Sequence, residues 1–260
     1  MWLLFGSQGR LGSSIMHLRP DIVGLSHADV DVTDRKKVLE VIKNKKPEAV
    51  INCTGLTNVD YCEENKEEAW NVNVRGTRNM SEGARSANAY MVHFSSDYAI
   101  NPVNEYAWTK LASESLVDGL VIRANYYDKS SWLMWNILAK NRIKLLTTEF
   151  LNPISSLNLI NIMMRLIEKK YKGVINIGTK NKISFYEFGC AIAGVYGIDN
   201  SIIEPVEKLE RKVPRSNDCY MDLTSLKKLK LRIFDIKGDL EMYKTSPLSK
   251  IGGSRHGLKK

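Results

Sequence analysis

Short apolar runs alternate with longer amphipathic stretches from the first residue onward. Met1 to Phe5 is continuously apolar, the pattern of a strand buried on both faces. Three spaced glycines follow, and Ser13 to Leu18 has the character of a helix. Asp21 to Leu25 predicts a second strand and Arg35 to Lys45 a helix; Pro47 ends that helix, and Ala49 to Cys53 predicts a third strand. A helical stretch then covers 63–87, with Trp70, Val74 and Met80 as its core positions. Tyr90 to Phe94 is another apolar strand, followed by a helix that carries Tyr106 and Lys110 and continues through LASESLVDGL. The run LVIRANYY, Leu120 to Tyr127, reads as the next strand. Strand and helix in strict alternation are the signature of an α/β fold with a doubly wound parallel sheet.

The later half is less regular. Trp132 to Lys140 and Leu157 to Lys170 predict helices, Asn152 and Pro153 mark a turn, and Gly173 to Gly178 predicts a strand. Ser184 with Glu187 three residues on is a capping box, opening a helix that runs to about Tyr196. Pro205, Pro214 and the polar residues from Ser216 to Asp218 punctuate a looser segment. With 260 residues, the chain accommodates one large domain with a smaller lobe. The expected division is a nucleotide-binding domain over 1–124 and a mainly substrate-binding lobe over 125–260, with a segment near 173–178 returning to the sheet.

Composition narrows the partners. No apolar run approaches the roughly 20 residues that span a membrane. MWLLFG is too short, and lacks the basic leader, of a signal peptide. Cys53, Cys62, Cys190 and Cys219 show no metal-ligand spacing, so they read as reduced thiols of a cytoplasmic protein without a metal site. The net charge of +9 comes from scattered basic residues, which gather only in LKKLKLR (226–232) and in the terminal GGSRHGLKK. A solvated helix face and a frayed end account for these two clusters. No aromatic-and-basic motif for nucleic acid accompanies them. The general positive field favours an anionic small ligand.

The candidate chemistry centres on FSSDYAINPVNEYAWTK, Phe94 to Lys110. Tyr106 and Lys110 are four apart, on one helix face. An ammonium beside a phenol favours the phenolate, which fits Tyr106 for proton donation near neutral pH. Ser96, just past the strand, can hydrogen-bond the same oxygen. Near the N-terminus, Gly6, Gly9 and Gly12 stand between a strand and a helix, where glycines let a pyrophosphate approach backbone N–H groups. The second predicted strand ends in Ser26 and His27, not in the acidic residue that usually receives the ribose of NAD. Together with Arg10 this favours NADPH, with NADH as the alternative. Small residues in CTGLTNVD (53–60) would let a flat ring lie on the backbone, and Asn73 is out of place in a helix interior unless it holds something.

Taken in order, GSQGRLG, DVTD, INCTGLTNVD, NVRGTRN, FSSDY and YAWTK resemble the extended short-chain dehydrogenases/reductases, and within them the dTDP-4-dehydrorhamnose reductases. FSSDY resembles that family's STDY, INCTGLTNVD its NAAAxTxVD, LNPIS (151–155) its GSPT turn and ISFYEFGCAI its TSWYEFARAI. The resemblance implies a Rossmann-like fold with a small C-terminal substrate-binding lobe. It implies Ser96, Tyr106 and Lys110 as catalytic residues, with Asn73 steadying a proton-relay water. Gly6, Gly9, Arg10, Leu11 and Gly12 would hold the pyrophosphate, Asp31 and Val32 would flank the adenine, and Thr54, Gly55 and Leu56 would lie on the nicotinamide side. Ser96, Asp97 and Tyr126 match positions that face the sugar, and Arg215 is the candidate to grip its diphosphate.

Three departures from the family pattern concern the sugar. Only AINPVNE separates FSSDY from YAWTK, where the family has a longer loop; Tyr126 replaces a Trp; and RANYY replaces RTSWV. The implied activity is NADP(H)-dependent reduction of a nucleotide-linked 4-keto-6-deoxy sugar, as in dTDP-rhamnose biosynthesis, by a cytoplasmic enzyme that could pair as a homodimer. Two alternatives share the motifs. One is a nucleotide-sugar epimerase or dehydratase with the same triad. The other is a non-catalytic NADP-binding regulatory subunit, like the β subunit of methionine adenosyltransferase.

Overall fold

The computed structural model describes residues 1–250, so the terminal GGSRHGLKK cluster lies outside the described residues. In chain order the elements are β1 (Trp2–Phe5), α1 (Arg10–Leu18), β2 (Val23–Leu25), α2 (Arg35–Lys45), β3 (Ala49–Asn52), α3 (Val59–Glu64), α4 (Lys66–Trp70), a π-helical turn (Asn71–Arg75), α5 (Gly76–Ser86), β4 (Tyr90–Phe94), α6 (Glu105–Glu114) and β5 (Gly119–Arg123). There follow β6 (Tyr126–Tyr127), α7 (Trp132–Leu138), β7 (Ile143–Leu146), β8 (Phe150–Leu151), β9 (Ile154–Ser155), α8 (Ser156–Glu168), β10 (Gly173–Asn176), β11 (Ile183–Ser184), α9 (Phe185–Tyr196), β12 (Ile203–Val206), α10 (Thr224–Lys228) and α11 (Ile236–Thr245). The chain divides into two compact units. One holds Met1–Arg123, Met163–Ile175 and Lys212–Arg215; the other holds Ala124–Ile162, Asn176–Arg211 and the chain from Ser216 onward.

The six-stranded sheet runs in the order β10-β5-β4-β3-β1-β2. The pairs from β5 across to β2 are parallel. This is the α/β, Rossmann-like doubly wound architecture that the strand-helix alternation predicts. Its inner strands are mostly apolar, as strands buried on both faces are, with Asn52 of β3 and His93 of β4 as buried polar exceptions. Leu3, Phe5, Val50 and Met91 of the strands pack with Val38 and Ile42 of α2 and with Met80 and Ala84 of α5. Helix α2 shows why the local sequence is decisive here. The Asp34 carboxylate accepts from the Lys37 N–H at 3.0 Å, Lys43 and Lys45 lie at the negative C-terminal end, and Lys46 stops the helix in the left-handed region.

Three features differ from the sequence expectation. Trp70 is exposed, not core, and its indole N–H donates to Glu105 Oε2 at 2.9 Å. Helix α6 stops at Glu114, and residues 115–118 turn into β5. The apolar run from Leu120 to Tyr127 is two strands, because the backbone changes partner: β5 pairs with β4, whereas β6 pairs in parallel with β9.

The second unit is built from small two-stranded ladders, β6 with β9, β8 with β11 and β7 with β12, together with helices including α7, α9 and α11. The capping box at Ser184 and Glu187 is formed, and Gly197 ends α9 at φ 68°. Asp239 on α11 is fully buried, and four donors converge on its carboxylate. Oδ2 accepts from the Tyr127 hydroxyl at 2.5 Å and the Ser155 N–H at 2.7 Å, and Oδ1 accepts from Ser155 Oγ at 2.9 Å and Asn158 Nδ2 at 2.6 Å. Burial pushes its pKa up, and these hydrogen bonds oppose the rise. The socket has only donors, one of them a backbone N–H that cannot turn. Asp239→Asn would aim an NH2 group at two of those donors. It should lower unfolding free energy by about 3 kcal/mol or more, read from urea midpoints. A loss under about 0.5 kcal/mol would show that the socket does not hold α11 to β6 and β9.

Candidate active site at the carboxyl ends of the strands

The turn after β1 is shaped by its glycines. Gly6 adopts φ 82°, and its N–H and that of Ser7 both donate to Leu25 O, at 2.9 and 3.0 Å. A Cβ at Gly12 would stand 2.0 Å from Gly6 O, so only glycine lets α1 begin this close to the strand. Gly9 is the N-cap of α1; no side chain caps it, and the first turn has no acidic residue. Arg10 is exposed and Leu11 is buried. The uncapped, acid-free start of α1 supplies the positive end of a helix dipole, and the glycines supply the clearance that a pyrophosphate requires. At the end of β2, Asp29 folds back so that its carboxylate accepts from the Ser26 N–H at 2.8 Å and Ser26 Oγ at 2.6 Å, which lowers its pKa. Sequence reading stopped at Ser26 and His27 and missed this group. Asp31 accepts from the Thr33 N–H and Oγ1, and Val32 is a buried core side chain.

After β3 the chain is held by Asn73. Its Oδ1 accepts from the Leu56 N–H at 2.8 Å, and its Nδ2 donates to Leu56 O at 3.0 Å and Thr109 Oγ1 at 2.9 Å. Asn73 is buried within the π-helical turn, so this side chain does hold something: the 53–56 loop, tied to α6. A Cβ on Gly55 would fall 3.1 Å from Asn73 Oδ1 and 4.0 Å from Lys110 Nζ, which places the lysine tip beside the same loop.

Lys110 is 3% exposed and its Nζ donates to Phe94 O, the last residue of β4, at 2.6 Å. Desolvation lowers its pKa to about 8, with Glu114 the leading opposing influence. Glu114 is itself held, accepting from Ser95 Oγ at 2.6 Å and from Arg123 Nε and Nη2 at 2.7 and 2.6 Å. Ser96, two residues past Phe94, is buried and donates to Asp97 Oδ1 at 2.9 Å. Tyr106 is nearly buried; its ring meets that of Tyr98 edge-on at 6.1 Å and packs with Val59, Cys62, Ala69 and Val213. The fold therefore gathers Thr54, Gly55, Leu56, Asn73 and Lys110 into one cluster at the carboxyl ends of β3 and β4, with Ser96 and Asp97 following β4.

Two predicted residues have other settings. Arg215 belongs to the same unit, through the segment 212–215, but its Nη2 donates to Asp60 Oδ2 at 3.1 Å and its Nη1 to Val213 O at 2.6 Å. A carboxylate already takes up part of its guanidinium. Tyr126 lies on β6, in the second unit. Among the described residues no His/Cys/Asp/Glu cluster could hold a metal ion, and no helix is long and apolar enough to cross a membrane.

Comparison with known proteins agrees with this geometry. Residues 1–243 match the family model described as RmlD substrate binding domain. The dTDP-4-dehydrorhamnose reductase of Aggregatibacter actinomycetemcomitans is 26% identical over 227 residues, covering 73% of this chain and 77% of the relative. A solved dTDP-4-dehydrorhamnose reductase from Clostridium acetobutylicum superposes with a TM-score of 0.86 at 25% identity, covering 93% of this chain and 97% of that one. One from Bacillus anthracis, solved in complex with NADP, gives the same TM-score at 21% identity, with 93% and 97% covered.

The buried lysine yields a stability prediction. Its folded pKa, about 8, lies below its unfolded value of about 10.5. Its contribution is therefore complete above the unfolded value and is lost as pH falls through about 8, because the unfolded state then binds the proton more tightly. Lys110→Met lacks this dependence. Relative to the parent, the variant should lose about 2–3 kcal/mol of unfolding free energy between pH 7 and 10.5, read by denaturant unfolding at both ends. Parallel pH profiles would contradict a desolvated lysine.

Proposed function

The chain belongs to the RmlD substrate binding domain family, and from that premise we propose that it is an NADPH-dependent reductase of a nucleotide-linked 4-keto-6-deoxy sugar. The observation that carries the reading is the cluster of buried Asn73 and Lys110 with the half-buried 53–56 loop, beside a glycine turn fitted for a pyrophosphate. NADPH, when bound, supplies the hydride that reduces the keto carbon. Gly6, Gly9, Arg10, Leu11 and Gly12 hold the pyrophosphate, Asp31 and Val32 border the adenine, and Thr54, Gly55 and Leu56 border the nicotinamide. Arg10 favours a 2′-phosphate, while Asp29, ionised at the end of β2, opposes it, so the preference over NADH rests on the balance of the two.

Tyr106 gives its phenolic proton to the keto oxygen, and the Ser96 hydroxyl, turned from Asp97 Oδ1, donates to that oxygen and polarises the carbonyl. The Lys110 ammonium, the dominant form at neutral pH with a pKa of about 8, steadies the phenolate that remains. Asn73 keeps the 53–56 loop and α6 in register while the proton is replaced from solvent. Ser96, Asp97 and Tyr126 face the sugar. Arg215 reaches a diphosphate only by sharing its guanidinium with Asp60. The division into a cofactor-binding domain over 1–124 and a substrate lobe over 125–260, and assembly as a cytoplasmic homodimer, are part of the same proposal.

Incubation with NADPH and dTDP-4-dehydrorhamnose should consume the cofactor in proportion to sugar reduced. Tyr106→Phe should lower kcat by about 10²-fold or more, with NADPH affinity little changed. Product formed without net cofactor oxidation would mean an epimerase or dehydratase. Tight NADPH binding without turnover would mean a regulatory subunit.

A further inference from the structure

Beneath the cluster, in the middle of the sheet, lies a polar chain that none of the proposed chemistry uses. Asn52, Thr77, His93 and Ser113 are each at most 1% exposed, and His93 is enclosed completely. The direction of every hydrogen bond in the chain can be worked out from its ends. The Thr54 N–H can only donate, and it donates to Asn52 Oδ1 at 2.9 Å, so the other end of that amide is its NH2. Thr54 Oγ1 joins the same oxygen at 2.7 Å. One Asn52 amide hydrogen goes to Thr77 Oγ1 at 3.0 Å, and the Thr77 hydroxyl donates to Asn73 O at 2.7 Å. The other goes to His93 Nδ1 at 3.1 Å, which must therefore be the unprotonated nitrogen. His93 then carries its proton on Nε2 and donates to Ser113 Oγ at 2.9 Å, and Ser113 donates to Lys110 O at 2.7 Å.

The chain is closed: each donor has an acceptor, and its three ends are the Thr54 backbone, the Asn73 carbonyl and the Lys110 carbonyl. A second proton on His93 would set an N–H against the Asn52 NH2 and break it. Burial and the Lys110 ammonium act in the same direction, holding the His93 pKa well below its usual value. We infer that His93 is a positioning residue of the proposed reductase site: fixed as the neutral Nε2–H tautomer, it locks the nicotinamide-side loop at Thr54 and the Lys110 turn of α6 into one rigid arrangement. This inference rests on the reductase reading for its kinetic consequences, but the tautomer itself does not.

Two isosteres separate the two ends. In His93→Gln the terminal amide falls near Nε2, so the donor to Ser113 is kept and the acceptor for Asn52 is lost. In His93→Asn the amide falls near Nδ1, so an acceptor for Asn52 is kept and the donor to Ser113 is lost. The larger loss in His93→Gln should be in NADPH affinity, roughly tenfold, and the larger loss in His93→Asn should be in kcat, also roughly tenfold. Equal effects of both variants on both quantities would overturn the positioning role and leave a merely structural histidine. In parallel, 15N NMR of the histidine-labelled parent should show His93 with Nδ1 bare and Nε2 protonated, without titrating between about pH 5 and 8. The opposite tautomer, or protonation in that range, would overturn the inference even if neither variant folds. If the parent binds NADPH but reduces no keto-sugar, the reductase reading fails while the NMR result and the affinity arm still decide the role of His93.

Discussion

The structure of the candidate site depends on one buried cation. Among the described residues no carboxylate is hydrogen-bonded to the Lys110 ammonium, which donates instead to the carbonyl at the end of β4. Taking an ammonium out of water is costly unless other groups replace its hydration. Glu114 supplies part of that replacement at a distance, and it is held in place by Ser95 and Arg123. Helix α6, the end of β4 and the end of β5 are thus bound to one electrostatic arrangement, which leaves the lysine charged near neutral pH yet able to lose its proton within a few pH units.

The surroundings are organised to keep that cation from moving. Asn73 clamps both backbone groups of Leu56 and reaches across to Thr109, one residue before Lys110. Below it, the chain through Asn52 and His93 ends on the carbonyls of Asn73 and Lys110 themselves. The π-helical turn at Asn71–Arg75 fits the same pattern, since such turns insert an extra residue where a side chain must be re-aimed. Positioning here is achieved by satisfied polar groups in a sealed interior, where an unpaired one would be expensive.

Much of this was legible in the sequence, for reasons that are local. The strand β4, the helix α2 and the capping box at Ser184 coincide with the elements their residues predict, because apolar runs, caps and terminal charges act over a few residues. What was not legible depends on distant partners. The break between β5 and β6 is invisible in LVIRANYY, since hydrophobicity does not reveal that Tyr126 pairs with Ile154. Trp70 looked like core because it is large and apolar, but its indole N–H pairs with Glu105 on another helix, and its ring stays in water. Asp29 escaped notice because its carboxylate acts three residues back along the chain, at Ser26. His93 sits in an apolar strand, and only the three-dimensional register brings Asn52 and Ser113 to its two nitrogens. Asn73 gave a usable signal: a residue with poor helix propensity in a helical stretch proved to be the one holding a loop.

The most direct test is a titration of Lys110 itself, following its side-chain nitrogen by NMR in the cofactor-free protein and assigning it by comparison with Lys110→Met. A desolvated ammonium resting on the Phe94 carbonyl should lose its proton with a midpoint near pH 8. A midpoint near the ordinary lysine value of about 10.4 would mean that water reaches the group, and the account of a sealed, electrostatically organised site would be wrong.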